Sequence, residues 1–226
     1  MIPYNSYRYL YPPRPEKALA ANLIPSYEKR GFLAQPKFNG SCMLIFTNGI
    51  QTVFMNRHKQ EFTKSVDISS VFGKLHRQTL PDDTRKWMVL VGEYMNKSQK
   101  DIDGQVFNHK LVLFDILVFD GVQLLGKTFQ ERVELLDRLY GKDDLIRTAE
   151  GIKQHKFMYN TPVENVYRVK TFYDCLPALW ADVVQVPMLE GLVLKRADAK
   201  LENGIGEKNN TSTQVKFRKP HKNYAH

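Results

Sequence analysis

The pentapeptide Pro36-Lys37-Phe38-Asn39-Gly40 stands directly before a run rich in β-forming residues, Ser41 to Phe46. A lysine followed closely by a glycine can act as a nucleophile on a tight turn, because the glycine has no side chain to keep a phosphate away from the backbone. The same residues also fit a surface lysine beside a β-turn. Taken alone, the pentapeptide leaves both interpretations open.

Charged and aromatic side chains mark five further strand-like runs along the chain. Met55-Asn56-Arg57 ends one run with an arginine, which suits hydrogen bonding to a phosphate or a sugar. Val91-Gly92-Glu93-Tyr94 ends another with a carboxylate, and Leu113-Phe114-Asp115-Ile116-Leu117 carries an aromatic ring and an acid. Glu190 to Lys195 begins with a carboxylate and ends with a lysine. In Gln214-Val215-Lys216-Phe217-Arg218 the alternation places both cations on one face of a strand.

Each of these segments alone has an ordinary structural explanation. Phe114 fits a core position, Glu93 fits an exposed strand end, and Lys195 and Lys216 fit solvated positions. In this order along one chain, however, the segments resemble the motifs of the covalent nucleotidyltransferase superfamily of ATP-dependent DNA ligases, RNA ligases and mRNA-capping enzymes. That superfamily is defined by a Lys-x-Asp-Gly nucleophile motif and five further motifs in fixed order. The resemblance extends from Gln35 to Arg218.

The resemblance implies that Lys37 attacks the α-phosphate of ATP, releases pyrophosphate and carries AMP as a phosphoramidate. An ordinary lysine is protonated at neutral pH and cannot attack. The resemblance therefore also implies nearby cations, a divalent metal ion together with Lys195 and Lys216, which favour a neutral amine and stabilise charge on the phosphate in the transition state. Arg218 stands where the family's Lys-x-Lys strand has its second lysine, so the charge is kept and the geometry changes.

The remaining matches imply the contacts to the nucleotide. Glu93 resembles the acid that holds the ribose, and Phe114 resembles the aromatic ring that stacks on adenine. Glu190 resembles the acid that helps to place the divalent ion, Mg²⁺ or Mn²⁺. Arg57 resembles the arginine that contacts the ribose or the incoming 5′-phosphate. Gln35, two residues before the nucleophile, would lie at the adenine edge, where an amide can donate and accept hydrogen bonds.

The order of secondary-structure signals predicts an α+β domain. Thr128 to Glu131 is a capping box that begins a helix ending at Gly141, and Thr47-Asn48-Gly49 between two strand-like runs predicts a hairpin. Strand and helix signals intermix without regular βαβ alternation, which favours mainly antiparallel sheets with flanking helices. The resemblance implies the ATP-grasp-like nucleotidyltransferase fold of ligase catalytic domains. Two further helices are expected: Lys17 to Arg30, with a break at Pro25, and Tyr173 to Val186.

We expect a single nucleotidyltransferase domain over residues 1–226, with an irregular arm at 1–15 and a short basic tail at 219–226. Most members of the superfamily continue into an OB-fold or another accessory domain. The last predicted strand here ends at Arg218, so no OB domain is expected after it. Asn39 replaces the usual aspartate of the nucleophile motif, which blurs the subfamily but leaves the lysine and the glycine in place.

Composition narrows the class of protein and of partner. The chain is 42% hydrophobic and 25% charged, which excludes a mainly disordered chain or a fibrous repeat. It has no apolar run near the roughly 18 residues of a membrane span and no apolar signal-peptide region, so we expect a cytoplasmic protein, or a viral protein acting in the host cytoplasm, with no membrane partner. Two cysteines are too few for a disulfide framework or a Cys-rich zinc site. The net charge of +9, with eight Lys/Arg against three Asp/Glu from Gly191 onward, favours a polyanionic partner.

We therefore predict a monomeric polynucleotide ligase, dependent on ATP and Mg²⁺ or Mn²⁺, that seals a 5′-phosphate to a 3′-hydroxyl in a nicked duplex. DNA is favoured because Phe114 to Leu117, followed by Asp120-Gly121 and Glu131-Arg132, is most similar to DNA ligases and capping enzymes. The alternatives are an RNA ligase, an mRNA-capping guanylyltransferase and a non-catalytic basic nucleic-acid-binding module.

Overall fold

The computed structural model describes residues 9, 19–48, 50–56, 60–61, 86–96, 99–148, 151–203 and 211–220. A 3₁₀ turn at Ala21–Leu23 precedes the first helix. The helices are α1 (Ile24–Lys29), α2 (Phe129–Tyr140) and α3 (Leu176–Val183). The strands are β1 (Phe32–Phe38), β2 (Ser41–Thr47), β3 (Thr52–Asn56), β4 (Met88–Met95), β5 (Lys110–Phe119), β6 (Val122–Gln123), β7 (Leu145–Thr148), β8 (Gly151–Gln154), β9 (Met158–Asn160), β10 (Val166–Val169), β11 (Leu189–Arg196) and β12 (Gln214–Arg218).

Two sheets and one separate hairpin make up the β structure of this part of the chain. The large sheet has seven strands in the order β3-β2-β4-β5-β10-β9, with β6 paired to β5. The small sheet has the order β1-β11-β12, and β7 pairs only with β8. The β5–β10 pair is parallel and the other strand pairs described are antiparallel. The α+β class with mainly antiparallel sheets is confirmed.

Helices cover the outer faces of both sheets. On the back of the small sheet, Leu179 and Val183 of α3 pack in one apolar cluster with Leu192 and Phe217. On one face of the large sheet, Leu136 and Tyr140 of α2 pack in a second cluster with residues of β4 and β5. The opposite face of each sheet carries functional residues together with a smaller apolar cluster, which includes Leu44 on the large sheet and Leu33 on the small one.

The predicted capping box fixes the start of α2. Thr128 Oγ1 accepts a hydrogen bond from the Glu131 amide at 3.1 Å, and Glu131 Oε2 accepts one from the Thr128 amide at 2.7 Å. The helix ends before Gly141, which has a φ of +72°. Both ends were predicted because capping depends on residues within one turn of each other.

The two other predicted helices are shorter than expected. Pro25 lies in the first turn of α1 and Pro177 in the first turn of α3, where the missing amide hydrogen has no helical acceptor. Each proline therefore begins a helix, and the predicted break at Pro25 is wrong. Residues 17 and 18 lie outside the described part of the chain.

Lys37 lies inside a strand, so the prediction that places it on a tight turn is wrong. Its role as the nucleophile stays a prediction. β1 extends through Phe38, and the turn to β2 is formed by Asn39 and Gly40. Pro36 concealed this strand in the sequence, because proline cannot donate to a ladder and is confined to sheet edges. β1 is the edge strand of the small sheet.

Some predicted segments fall largely outside the described residues. The arm at 1–15 is described only at Tyr9, and the tail at 219–226 only at Lys219 and Pro220. β2 and β3 form the predicted hairpin, where Asn48 Oδ1 accepts from the amides of Ile50 and Gln51. In the described part of the chain, no helix combines the length and apolarity that crossing a bilayer requires.

Candidate active site

One face of the small sheet brings together the predicted lysine nucleophile and two further predicted cations. Lys37 is paired with Gly191, which is paired with Arg218 on the other side. Paired residues of neighbouring strands point to the same face, so Lys37 and Arg218 flank Gly191. Lys216 lies two residues before Arg218 on that face, opposite Val193.

A bulge in β11 brings Glu190 to the same place. Lys37 pairs with Gly191 and Phe38 with Leu189, which leaves Glu190 without a strand partner in this ladder. A bulge of this kind re-aims a side chain, and here Glu190 Oε2 lies 2.8 Å from Lys37 Nζ and 3.3 Å from Arg218 Nη2. Gly191 has a φ of +148°, and a Cβ there would lie 1.9 Å from the carbonyl oxygen of Phe217. Only glycine fits this position.

Glu93 lies on the large sheet, on the opposite wall from Lys37. Its Oε1 accepts a hydrogen bond from the Gly40 amide at 3.2 Å. A Cβ on Gly40 would lie 2.3 Å from the carbonyl oxygen of Tyr94, so the glycine lets the turn rest against β4. Burial raises the pKa of Glu93 to about 7, against a lowering by Lys37 and with a further rise from Glu190. We call the space between these two walls, lined by Lys37 and Arg218 on one side and Glu93 on the other, the cleft.

Phe114 and Gln35 are joined beside the cleft. In β5, Phe114 is left unpaired between Leu113 and Asp115 by a second bulge. Gln35 Nε2 donates to the Phe114 carbonyl at 3.2 Å and to Thr171 Oγ1 at 3.1 Å. Since a carbonyl oxygen only accepts, this bond fixes which end of the amide is the nitrogen. Both amide hydrogens are used, and Gln35 offers its Oε1 as an acceptor.

Lys195 does not lie beside Lys37 in the small sheet. It lies opposite Leu33, four residues beyond Gly191 on β11 and therefore about 13 Å further along the strand. Its Nζ lies 3.6 Å from Asp115 Oδ2 and 5.1 Å from the centre of the Phe114 ring. Burial lowers the pKa of Lys195 to about 8, with Asp115 acting in the opposite direction.

A buried ion pair that the sequence did not predict lies behind Phe114. Arg132 of α2 donates from Nε to Asp115 Oδ1 at 2.8 Å and from Nη2 to Oδ2 at 3.2 Å. Burial raises the pKa of Asp115, but the charges of Arg132 and Lys195 outweigh burial and hold the pKa at about 2. Tyr9 also donates to this carboxylate. The sequence signal for this ion pair was an arginine, Arg132, among the apolar positions of α2. No hydrophobic periodicity indicated that Tyr9 would be buried.

Arg57 lies outside the described residues, so its predicted contact stays a prediction.

The predicted metal site rests on few carboxylates. Within the described residues, no group of three or more His, Cys, Asp or Glu side chains could hold a metal ion. Glu93 and Glu190 nevertheless interact across the cleft. Two carboxylates suit Mg²⁺ when phosphate oxygens and water complete its shell.

The chain matches the family described as the ATP dependent DNA ligase domain over residues 16–216, which include Lys37, Glu93 and Glu190. It belongs to that family. DNA ligases are one of the groups in the superfamily that the ordered motifs resemble.

Solved structures of ligases share the fold. The ligase domain of LigD from M. tuberculosis is 17% identical, with a TM-score of 0.58, covering 95% of this chain and 60% of that one. Mycobacterial DNA ligase D complexed with ATP and MES is 17% identical, with a TM-score of 0.55 and coverage of 95% and 61%. The ATP-dependent DNA ligase from bacteriophage T7, in complex with ATP, is 13% identical, with a TM-score of 0.50 and coverage of 89% and 67%.

This chain thus spans about 60% of the length of the first two of these structures. A search of curated protein sequences found no match.

Proposed function

We propose that this chain acts as an ATP-dependent DNA ligase in which Lys37 carries AMP and a nicked DNA duplex is sealed. One observation carries the proposal: in a chain of the ATP-dependent DNA ligase domain family, Lys37 Nζ is held 2.8 Å from Glu190 on a sheet face that also presents Arg218 and Lys216. This arrangement supports nucleotidyl transfer to Lys37, because it places a carboxylate and two cations near the amine.

The first step uses Lys37 as the nucleophile. Its Nζ loses a proton, forms a bond to the α-phosphorus of ATP, and the bond from that phosphorus to pyrophosphate breaks. Glu190 Oε2, 2.8 Å from Nζ, is within proton-transfer distance. Arg218 and Lys216 share the face of Lys37 and supply positive charge where negative charge gathers on the phosphate.

Gln35 and Phe114 support adenine as the base. Phe114 offers a half-buried ring for stacking, and Gln35 offers its Oε1 as an acceptor because its two amide hydrogens are already donated. The exocyclic amino group of adenine can donate to that oxygen. Guanine has a carbonyl oxygen at the same position, which would face it as a second acceptor. This favours ATP over GTP and counts against a capping guanylyltransferase.

Glu93 and Glu190 would hold a divalent ion together with the phosphates of the nucleotide. When bound, the ion would neutralise phosphate charge and orient the pyrophosphate leaving group. The chain itself keeps the Glu190 carboxylate in the cleft through Lys37 and Arg218. Glu93 would also accept hydrogen bonds from the ribose hydroxyls.

In the later steps AMP passes from Lys37 to the 5′-phosphate of the nick. The 3′-hydroxyl then attacks that phosphate, closes the backbone and releases AMP. The net charge of +9 supports binding of a polyanion in these steps. An RNA ligase would use the same cleft, so sealing assays on nicked DNA and nicked RNA are needed to identify the substrate.

The intact mass of the purified protein, before and after incubation with ATP and Mg²⁺, tests the first step. We expect a gain of one AMP with ATP and no gain with GTP. Lys37→Arg keeps a cation for Glu190 but removes the nucleophilic amine, so it should take up no AMP. Lys86→Ala, at an exposed lysine paired with Asp120, is the matched control and should be labelled like the wild type.

Sealing of nicked DNA and nicked RNA duplexes then identifies the substrate. Faster sealing of DNA supports the proposal, and sealing of RNA alone replaces it with an RNA ligase. Folded wild-type protein, free of bound nucleotide, that gains no AMP contradicts the proposed chemistry. An adduct on Lys37→Arg contradicts the choice of nucleophile.

A further inference from the structure

Tyr9 is buried beside Asp115 and Lys195, far in sequence from every predicted motif. Its side chain is 2% exposed and packs in an apolar cluster with Leu44, Val91 and Leu117 on the cleft side of the large sheet. Its hydroxyl donates to Asp115 Oδ2 at 2.8 Å. Burial, and to a smaller degree Asp115, raise the pKa of Tyr9 well above its ordinary value, so the hydroxyl keeps its proton.

Tyr9 completes the hydrogen bonding of the Asp115 carboxylate. Oδ1 accepts from Arg132 Nε at 2.8 Å and from the Ile116 amide at 2.9 Å. Oδ2 accepts from Tyr9 at 2.8 Å and from Arg132 Nη2 at 3.2 Å. Since each carboxylate oxygen offers about two lone-pair sites, both oxygens are fully used.

Lys195 is therefore kept just outside hydrogen-bonding distance of Asp115. Its Nζ stands 3.6 Å from Oδ2, an ion-pair distance that is longer than the hydrogen bonds from Tyr9 and Arg132 to the same oxygen. The ammonium group is instead held between two rings, 5.1 Å from the centre of Phe114 and 4.6 Å from that of Phe129. These are cation–π distances.

We propose that Tyr9 is a positioning residue of the nucleotide site: its hydroxyl occupies Asp115 Oδ2 and so holds Lys195 against the Phe114 ring. Phe114 follows Lys195 because a desolvated cation attracts the ring face, and Phe114 is the surface on which the base would stack. The inference deepens the proposed function and rests on it. It makes the Tyr9 side chain part of nucleotide recognition.

Tyr9→Phe tests the inference, because phenylalanine keeps the buried ring and removes only the donor. Lys195 can then move onto the vacated Oδ2 and away from Phe114. We expect the KM for ATP in self-adenylylation to rise about five- to tenfold, the effect of one hydrogen bond, with kcat within about twofold of wild type. Tyr140→Phe is the matched control, since Tyr140 is equally buried but lies on the other face of the large sheet.

A second variant separates positioning from simple support of the fold. In a Lys195→Met background, Tyr9→Phe should leave the KM for ATP unchanged, because the residue through which Tyr9 acts is gone. Thermal unfolding of each variant reports stability separately. An unchanged KM in Tyr9→Phe, even with a lowered unfolding midpoint, overturns the inference and leaves the proposed function intact. Wild-type protein that neither binds ATP nor gains AMP overturns both.

Discussion

Glu190 Oε2 contacts Lys37 Nζ at 2.8 Å only because β11 is bulged at that point. Strict alternation along β11 would place Glu190 on the face of Leu192 and Leu194, which is buried in the apolar core. The bulge turns the carboxylate to the opposite face, and Arg218 holds it there from the third strand. The predicted nucleophile and its acidic partner thus depend on one irregularity of the ladder.

Replacing Glu190 by glutamine should slow self-adenylylation about a hundredfold, because the side chain keeps its shape and loses the charge that faces Lys37 and the metal. The rate of AMP uptake, followed by intact mass, measures the effect. Asp120→Asn removes a carboxylate from an exposed pair with Lys86 and serves as the control. Uptake at the wild-type rate in Glu190→Gln would show that the contact has no part in the reaction.

Replacing Gln35 by leucine should remove the discrimination between ATP and ITP. Inosine has a carbonyl oxygen where adenine has its amino group, so the wild-type acceptor at Gln35 disfavours it. We expect the KM for ATP to rise about tenfold in the variant and the ratio of kcat/KM values for ATP and ITP to fall toward one. Gln130→Leu, on the exposed side of α2, should leave that ratio unchanged. Because a ratio is independent of the folded fraction, any loss of stability does not affect the test.

The titration of Glu93 should lower the free energy of unfolding as the pH rises from about 4.5 to about 7. Its pKa is raised to about 7 by burial, so in this window the folded protein holds a proton that the unfolded chain has released. The free energy of unfolding then decreases as the pH rises, by about 3 kcal/mol for a shift of this size. Urea unfolding of wild type and Glu93→Gln at several pH values isolates this contribution. A difference between the two proteins that does not change with pH would contradict it.

Replacing Arg132 by methionine should destabilise the protein by about 3 kcal/mol or more, because it leaves a buried carboxylate on Asp115 without its main partner. Urea unfolding measures the loss, and the double variant with Asp115→Asn should recover part of it. Lys86→Ala breaks an ion pair in which both side chains are more than a third exposed, and should change stability by less than about 1 kcal/mol. Equal effects at the two sites would mean that burial does not decide the strength of the pair.

Features set by neighbouring residues were predictable from the sequence. The capping box gives the start of α2, and the bounds of β12 coincide with the predicted run Gln214–Arg218. β1 was missed because Pro36 argues against a strand anywhere but at an edge, and edges cannot be recognised from one sequence. The short strands β7 to β10 carry too few residues for a period to show.

Features set by strand register or by distant contacts were not predictable. Motif spacing placed Lys195 in the same strand as Glu190, but the pairing with β1 puts it opposite Leu33 and away from Lys37. The bond between Tyr9 and Asp115 joins residues 106 positions apart. No local pattern indicates such a pair, since burial in the folded protein is what brings the two together.

Because of the bulge at Glu190 and Gly191, the uptake of AMP would also report whether β1 and β11 are paired in the correct register. A chain that paired β1 with β11 one residue out of step would keep much of its secondary structure, yet it would turn Lys37 or Glu190 to the wrong side of the sheet. Circular dichroism would hardly distinguish such a species. Under the proposed chemistry, the fraction of molecules that accept AMP would count the correctly paired chains in a refolded or mutated sample.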